Sequence, residues 1–97
     1  MAIARHYMMQ AAPGQEKALE AILLTLADNM AGGMGGCLGV ELLRDSGNAA
    51  RFVLVEKWES VDAHTAAVAA FSRETGKALR ATLAHPLEGA YFDYLRF

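Results

Sequence analysis

Residues 51–59 read Arg-Phe-Val-Leu-Val-Glu-Lys-Trp-Glu, a composition rich in β-branched and aromatic side chains that suits a strand. Alternation places Phe52, Leu54 and Trp58 on one face and Val53 and Val55 on the other. Residues 87–97 behave similarly, with Phe92 and Tyr94 on one parity and Tyr91, Leu95 and Phe97 on the other. A strand with one wet face alternates apolar with polar residues. Both segments are apolar on both faces, so the fold must cover both sides of the sheet they belong to.

The remaining segments supply part of that cover. Residues 2–10 have the length and composition of a first strand, and Ala12-Pro13-Gly14 ends it. From residue 15 to 30 the period changes: Leu19, Ile22, Leu23, Leu26 and Met30 form one helical stripe. Gly32, Gly33, Gly35 and Gly36 stop that helix. They are read as a flexible connection, because the phosphate-cradling pattern needs Gly-Lys-Ser/Thr leading into a helix, and here a strand follows at 37–44. Asp45-Ser46-Gly47-Asn48 carries hairpin-turn residues before the strand at 51–59. Ser60 is a good N-cap for a helix reaching about residue 70. A further helical segment is expected over 71–82, kinked near Gly76, and Pro86 bars its continuation. A strand over 87–97 closes the chain.

The order β-α-β-β-α-β is the ferredoxin-like split βαβ motif, an α+β fold with a four-stranded antiparallel sheet. Right-handed crossovers put the helices on one face of that sheet. The chain, 97 residues, is expected to form a single domain. With the second face still bare, a second copy of the chain is the nearest cover, and a face-to-face homodimer of two sheets is expected. The composition agrees, since 54% of residues are hydrophobic, above the usual range of about 45–50%. Four of the eight aromatics lie in the last seven residues, so that end is expected to dock at the core or interface.

Composition also excludes functions. A net charge of −2 argues against a nucleic-acid-binding face. No apolar run approaches the roughly 18 residues of a membrane span, and the first ten residues lack the basic-then-apolar pattern of a signal peptide. One cysteine, Cys37, cannot close an intrachain disulfide and fits a reducing cytoplasm. Neither a dinucleotide fingerprint nor a metal-ligand spacing among His6, His64 and His85 is legible, so no cofactor and no metal are expected.

Pro13-Gly14 opening the first helix, Gly36-Cys37-Leu38-Gly39 entering the second strand, and Phe52-Val53-Leu54-Val55-Glu56-Lys57-Trp58-Glu59-Ser60 running into Val61-Asp62-Ala63-His64 together resemble the antibiotic biosynthesis monooxygenase family. The resemblance spans essentially the whole chain. It implies the dimeric α+β barrel fold and points to a monooxygenase that uses O₂ without metal or flavin on a phenolic, quinol or polyketide-like aromatic compound. Haem-degrading and non-catalytic binding relatives are the alternatives it leaves open. Many members carry the helix histidine at the place of Ala67, whereas here it is His64. The haem-degrading pattern also wants an Asn in the first strand, which this chain lacks.

Cofactor-free oxygenation needs a substrate that is its own reductant, an apolar pocket, a base and exclusion of water. Trp58 is a candidate pocket wall whose indole N–H could donate to a substrate oxygen, with a plain core tryptophan as the alternative. His64 shares a helical stripe with Val61, Val68 and Phe71, so it is expected to face the sheet as a neutral imidazole, either a base or a buried structural histidine. His6, Phe71 and Arg80 are the candidate substrate-binding residues. Cys37 has no local basic partner and is not read as a nucleophile.

Overall fold

A computed structural model describes residues 2–96. The elements are β1 (Ile3–Gln10), α1 (Glu16–Ala31), β2 (Cys37–Asp45), β3 (Asn48–Trp58), α2 (Val61–Ala69), α3 (Arg73–Ala81) and β4 (Glu88–Asp93). Among the described residues the strands form one four-stranded sheet in the order β2-β3-β1-β4, antiparallel at every pairing. This is the α+β ferredoxin-like arrangement expected from the order of elements.

Register decides which side chains share a face. Ile3 pairs with Trp58, Arg5 with Glu56, Tyr7 with Leu54 and Met9 with Phe52. On the other side of β1, Arg5 pairs with Tyr91. These residues form the inner face, over which α1 lays the buried Leu19, Leu23 and Met30. Phe52, Leu54 and Trp58 are each at most 4% exposed beneath the helices. Burying an aliphatic or aromatic side chain of this size stabilises the fold by about 1.5–3 kcal/mol, so this row anchors the core.

The outer face carries Ala4, His6, Met8, Val53, Val55, Leu43 and Phe92, and among the described residues no helix lies over it. Leu43 and Phe92 are each 52% exposed. The two-sided apolar character read from β3 is therefore present as one covered and one bare face.

Two expectations are corrected. The 71–82 segment is not kinked at Gly76: α2 ends at Ala69 with Ala70 as its cap, and α3 starts after Ser72, whose Oγ accepts from the Thr75 N–H at 3.4 Å. Capping at Ser72 places the break before the glycine, which stays inside α3. The last strand is shorter than 87–97, because pairing with β1 ends at Asp93 opposite Ile3. Of the C-terminal aromatics expected to dock at the core or an interface, Tyr91 reaches the inner face and meets His64, Phe92 lies on the bare face, and Phe97 lies outside the described residues.

Two glycines are required where they stand. Gly36 has φ +82°, and a Cβ there would sit 2.7 Å from the Ala63 Cβ on α2. Its carbonyl accepts from the Glu59 N–H at 2.9 Å. The connection expected to be merely flexible thus seats the start of α2. Gly89 leaves room for the Arg5 guanidinium, which a Cβ would overlap.

Candidate active site

The start of α2 carries the site. Ser60 caps it, its Oγ accepting from the Ala63 N–H at 3.1 Å. One residue further on, His64 turns down to the sheet and is buried at 4% exposure. The stripe expected to hold it is different in detail. Val61, Val68 and Phe71 are exposed, and the sheet-facing side of this alanine-rich helix is Ala63, His64 and Ala67.

Around His64 the inner face gathers polar groups from three strands. Its Nε2 lies 2.7 Å from the Tyr7 hydroxyl and its Nδ1 2.7 Å from the Tyr91 hydroxyl. The Glu56 Oε1 stands 3.8 Å from Nε2. That same oxygen accepts from the Trp58 indole N–H at 2.8 Å. Trp58 packs edge-on against the imidazole, with ring centroids 5.5 Å apart. The Arg5 guanidinium carbon lies 4.8 Å from the Tyr7 ring centroid and 4.4 Å from that of Tyr91. Its Nε is buried without a hydrogen-bond partner.

Burial sets the charge states. Desolvation, helped by the Arg5 charge, holds the His64 pKa below its ordinary value, so the imidazole is neutral near pH 7. Desolvation pushes the Glu56 carboxyl upward, against the pull of the Trp58 N–H and Arg5. The Tyr7 phenol is raised by burial and by Glu56, with Arg5 opposing. Burial also pushes the Cys37 thiol up, which disfavours the thiolate.

This cluster ends a cleft of about 1000 Å³ between α1 and the α2–α3 pair, floored by β1 and β3. Its walls are largely apolar, with Leu26, Met30, Leu54 and Leu79 among them, while Tyr7, Glu56, Trp58 and His64 line its polar part. Trp58 and His64 thus meet at the cleft. Phe71 and Arg80 line it as well. His6 does not: it lies on the outer face, packed edge-on against Phe92 at 5.5 Å, because its strand parity is opposite to that of Tyr7. The Trp58 N–H is already given to Glu56, so the indole offers the cleft a wall rather than the expected donor. Among the described residues, no group of three or more His, Cys, Asp and Glu side chains is placed to hold a metal ion. No helix there is long and apolar enough to cross a membrane.

Arg5, Tyr7, Glu56 and Tyr91 were missed by sequence reasoning. Glu56 was visible as a carboxylate in the same inward row as Phe52, Leu54 and Trp58. Tyr91 became part of the site only through its pairing with Arg5, which no local pattern encodes.

Fold and site together define a small α+β protein with an apolar cleft ended by a buried acid–base cluster. The antibiotic biosynthesis monooxygenase model matches residues 2–82, and the chain belongs to that family. Solved structures share the fold over nearly the whole chain. SnoaB from Streptomyces nogalater, a cofactor-independent oxygenase solved as a mutant, aligns with TM-score 0.83 at 20% identity, covering 99% of this chain and 95% of that one. A Bordetella bronchiseptica structure named for the same family aligns with TM-score 0.81 at 26% identity, covering 98% of each chain. PA3566 from Pseudomonas aeruginosa aligns with TM-score 0.82 at 22% identity, covering 98% of this chain and 95% of that one. No match is found among curated proteins.

Proposed function

We propose that the protein is a cofactor-independent monooxygenase acting with O₂ on a phenolic, quinol or polyketide-like aromatic compound. The observation that carries this reading is a neutral, buried His64 at the polar end of a roomy apolar cleft. The cleft takes the apolar body of the substrate, and its ionisable oxygen is placed at the cluster. Removal of the proton leaves an electron-rich anion able to reduce O₂. For an anthrone-type substrate the balance closes without a further reductant. The methylene carbon becomes a carbonyl with one oxygen atom, and the other oxygen leaves as water with the two methylene hydrogens.

The substrate proton is drawn into the cluster centred on His64, Trp58 is a wall that fixes the ring plane, and Phe71 and Arg80 line the approach. His6 belongs instead to the bare face, which a second copy of the chain covers in a homodimer. The partly buried thiol of Cys37 suits a reducing cytoplasm.

Oxygen uptake with a panel of dihydroxynaphthalenes and anthrones tests the reading. Substrate-dependent consumption by the purified protein, lost in His64→Ala, is the expected result. Tight retention of these compounds with no uptake would favour a non-catalytic binding protein. A Soret band with hemin, together with hemin loss under reductant, would favour a haem-degrading relative.

A further inference from the structure

His64 has no free ring nitrogen to offer a substrate. Nε2 is taken by the Tyr7 hydroxyl and Nδ1 by the Tyr91 hydroxyl, both at 2.7 Å. A neutral imidazole carries one N–H and one lone pair, so one tyrosine donates to the ring while the other accepts from it. The chain Tyr7–His64–Tyr91 therefore has two arrangements with the same number of protons. In one, Tyr7 donates to Nε2 and presents an oxygen lone pair to the cleft. In the other, Nε2–H donates to Tyr7, and the Tyr7 hydrogen turns to the cleft.

The two ends open to different places. Tyr7 lines the cleft, whereas Tyr91 stands on the edge strand β4 and is 41% exposed. Arg5 lies against both phenol rings, so a cation flanks each oxygen-bearing ring as charge passes. The other groups facing the imidazole are Glu56, 3.8 Å from Nε2, and the Trp58 ring.

We propose that Tyr7 is the residue that contacts the substrate hydroxyl, and that Tyr7–His64–Tyr91 is a proton relay from the cleft to the edge of the sheet. The proposal rests on the oxidation reading only for the class of substrate, a phenol or enol. The substrate O–H bond breaks as its proton joins the Tyr7 oxygen, and the Tyr7 proton passes to Nε2. The Nδ1 proton passes to Tyr91, whose own proton goes to water. The products are the substrate anion and one proton in solvent, and no electrons move. The relay is left in its reversed arrangement. Running backwards, it returns a proton from Tyr7 to the oxygen that leaves as water, which resets the chain.

The test uses 4-nitrophenol, whose anion is yellow, and needs no oxygen. Wild-type protein is expected to ionise the bound phenol below the phenol's own pKa. Tyr7→Phe is expected to bind it and leave it protonated. With the cleft filled by the same phenol, exchange of the His64 ring N–H with water is followed by NMR on ¹⁵N-labelled imidazole. Tyr91→Phe is expected to slow that exchange by about 10²-fold, the lower end of what a positioned proton carrier supplies. Ionisation in Tyr7→Phe equal to wild type would overturn the proposal, since His64 would then take the proton directly. Unchanged or faster exchange in Tyr91→Phe would overturn it too, because a merely structural hydroxyl shields the ring and its loss admits water. If both readouts hold but no phenol or quinol supports oxygen uptake, the oxidation reading falls and the relay stands.

Discussion

Glu56 and His64 are buried side by side, with Oε1 3.8 Å from Nε2, and burial drives both towards their neutral forms. The carboxyl rises from its ordinary 4.5 and the imidazole falls from its ordinary 6.5. The native fold therefore disfavours ionised Glu56 and protonated His64 alike. With the charged form of each disfavoured, the two do not form a stabilised ion pair that a substrate would have to break.

The consequence for stability has opposite signs at the two residues. For Glu56, the folded pKa is raised, so stability is fully present below 4.5 and is lost as pH rises through the folded value. Glu56→Gln keeps an acceptor for the Trp58 N–H and removes the ionisation. Its melting temperature is expected to exceed that of wild type at neutral and alkaline pH and to converge with it below 4.5, while oxygen uptake falls. For His64, the folded pKa is lowered, so stability is present above 6.5 and is lost as pH falls through the folded value. Melting curves of wild type and Glu56→Gln across pH check both signs. A variant less stable than wild type at every pH would show that the carboxylate is paired rather than penalised.

His64→Ala is expected to keep its fold and to lose about 10²–10⁴-fold in turnover, the range for removing a general base. Melting temperature and oxygen consumption on one sample separate this from a structural role. A histidine that only packs would lower the melting temperature and leave turnover per folded molecule unchanged.

How much of this was legible follows from the range over which each feature is encoded. The α1 stripe from Leu19 to Met30 and the Ser60 cap are local patterns, and both elements form where they were expected. That Phe52, Leu54 and Trp58 share a face followed from parity, but with Val53 and Val55 opposite them, which face turns inward did not. Tyr7 and Tyr91 are separated by most of the chain and meet on one imidazole only because β1 pairs with β3 on one side and β4 on the other. Which face His6 takes, the cleft or the outer face, was not legible for a related reason: the parity of β1 is fixed by its partners, since its own alternation is blurred by Arg5 and Tyr7 pointing inward. Gly36 looked like one of several loop glycines, and its contact with Ala63 appears only once α2 is seated.

That contact makes Gly36→Ala a test of how α2 is held. The substitution meets a positive φ and a 2.7 Å clash at once. A loss of about 1–3 kcal/mol is expected, the range for a strained backbone position. Because α2 carries His64, activity should fall by more than the folded fraction explains. Gly35→Ala, with nothing within 4 Å of its Cβ and no left-handed φ, is the control and should be close to neutral. Denaturant melts of the two variants, read beside oxygen uptake, decide the matter. Equal costs at both positions would mean that the loop tolerates a side chain and does not seat the helix.

The bare face of the sheet gives the last expectation. Val53 and Val55 lie between Leu43 on β2 and the β1 residues His6 and Met8, with Phe92 beyond them on β4. Leaving this surface wet forgoes roughly 25 cal/mol for each Å² of apolar area. A second copy presenting the same face satisfies it by two-fold symmetry, and a specific interface of this kind buries more than about 1,000 Å² in total. The protein is therefore expected to sediment as a dimer at micromolar concentration. Leu43 and Phe92 are half-exposed in the single chain, so Leu43→Glu with Phe92→Glu should leave the core intact. In the dimer the same carboxylates would be buried against apolar partners, at a cost of several kcal/mol for each unpaired charge. The double variant should sediment as a folded monomer with an unchanged far-ultraviolet circular dichroism spectrum. A wild-type protein that sediments as a monomer at micromolar concentration, or a double variant that remains dimeric, would place the interface elsewhere or remove it.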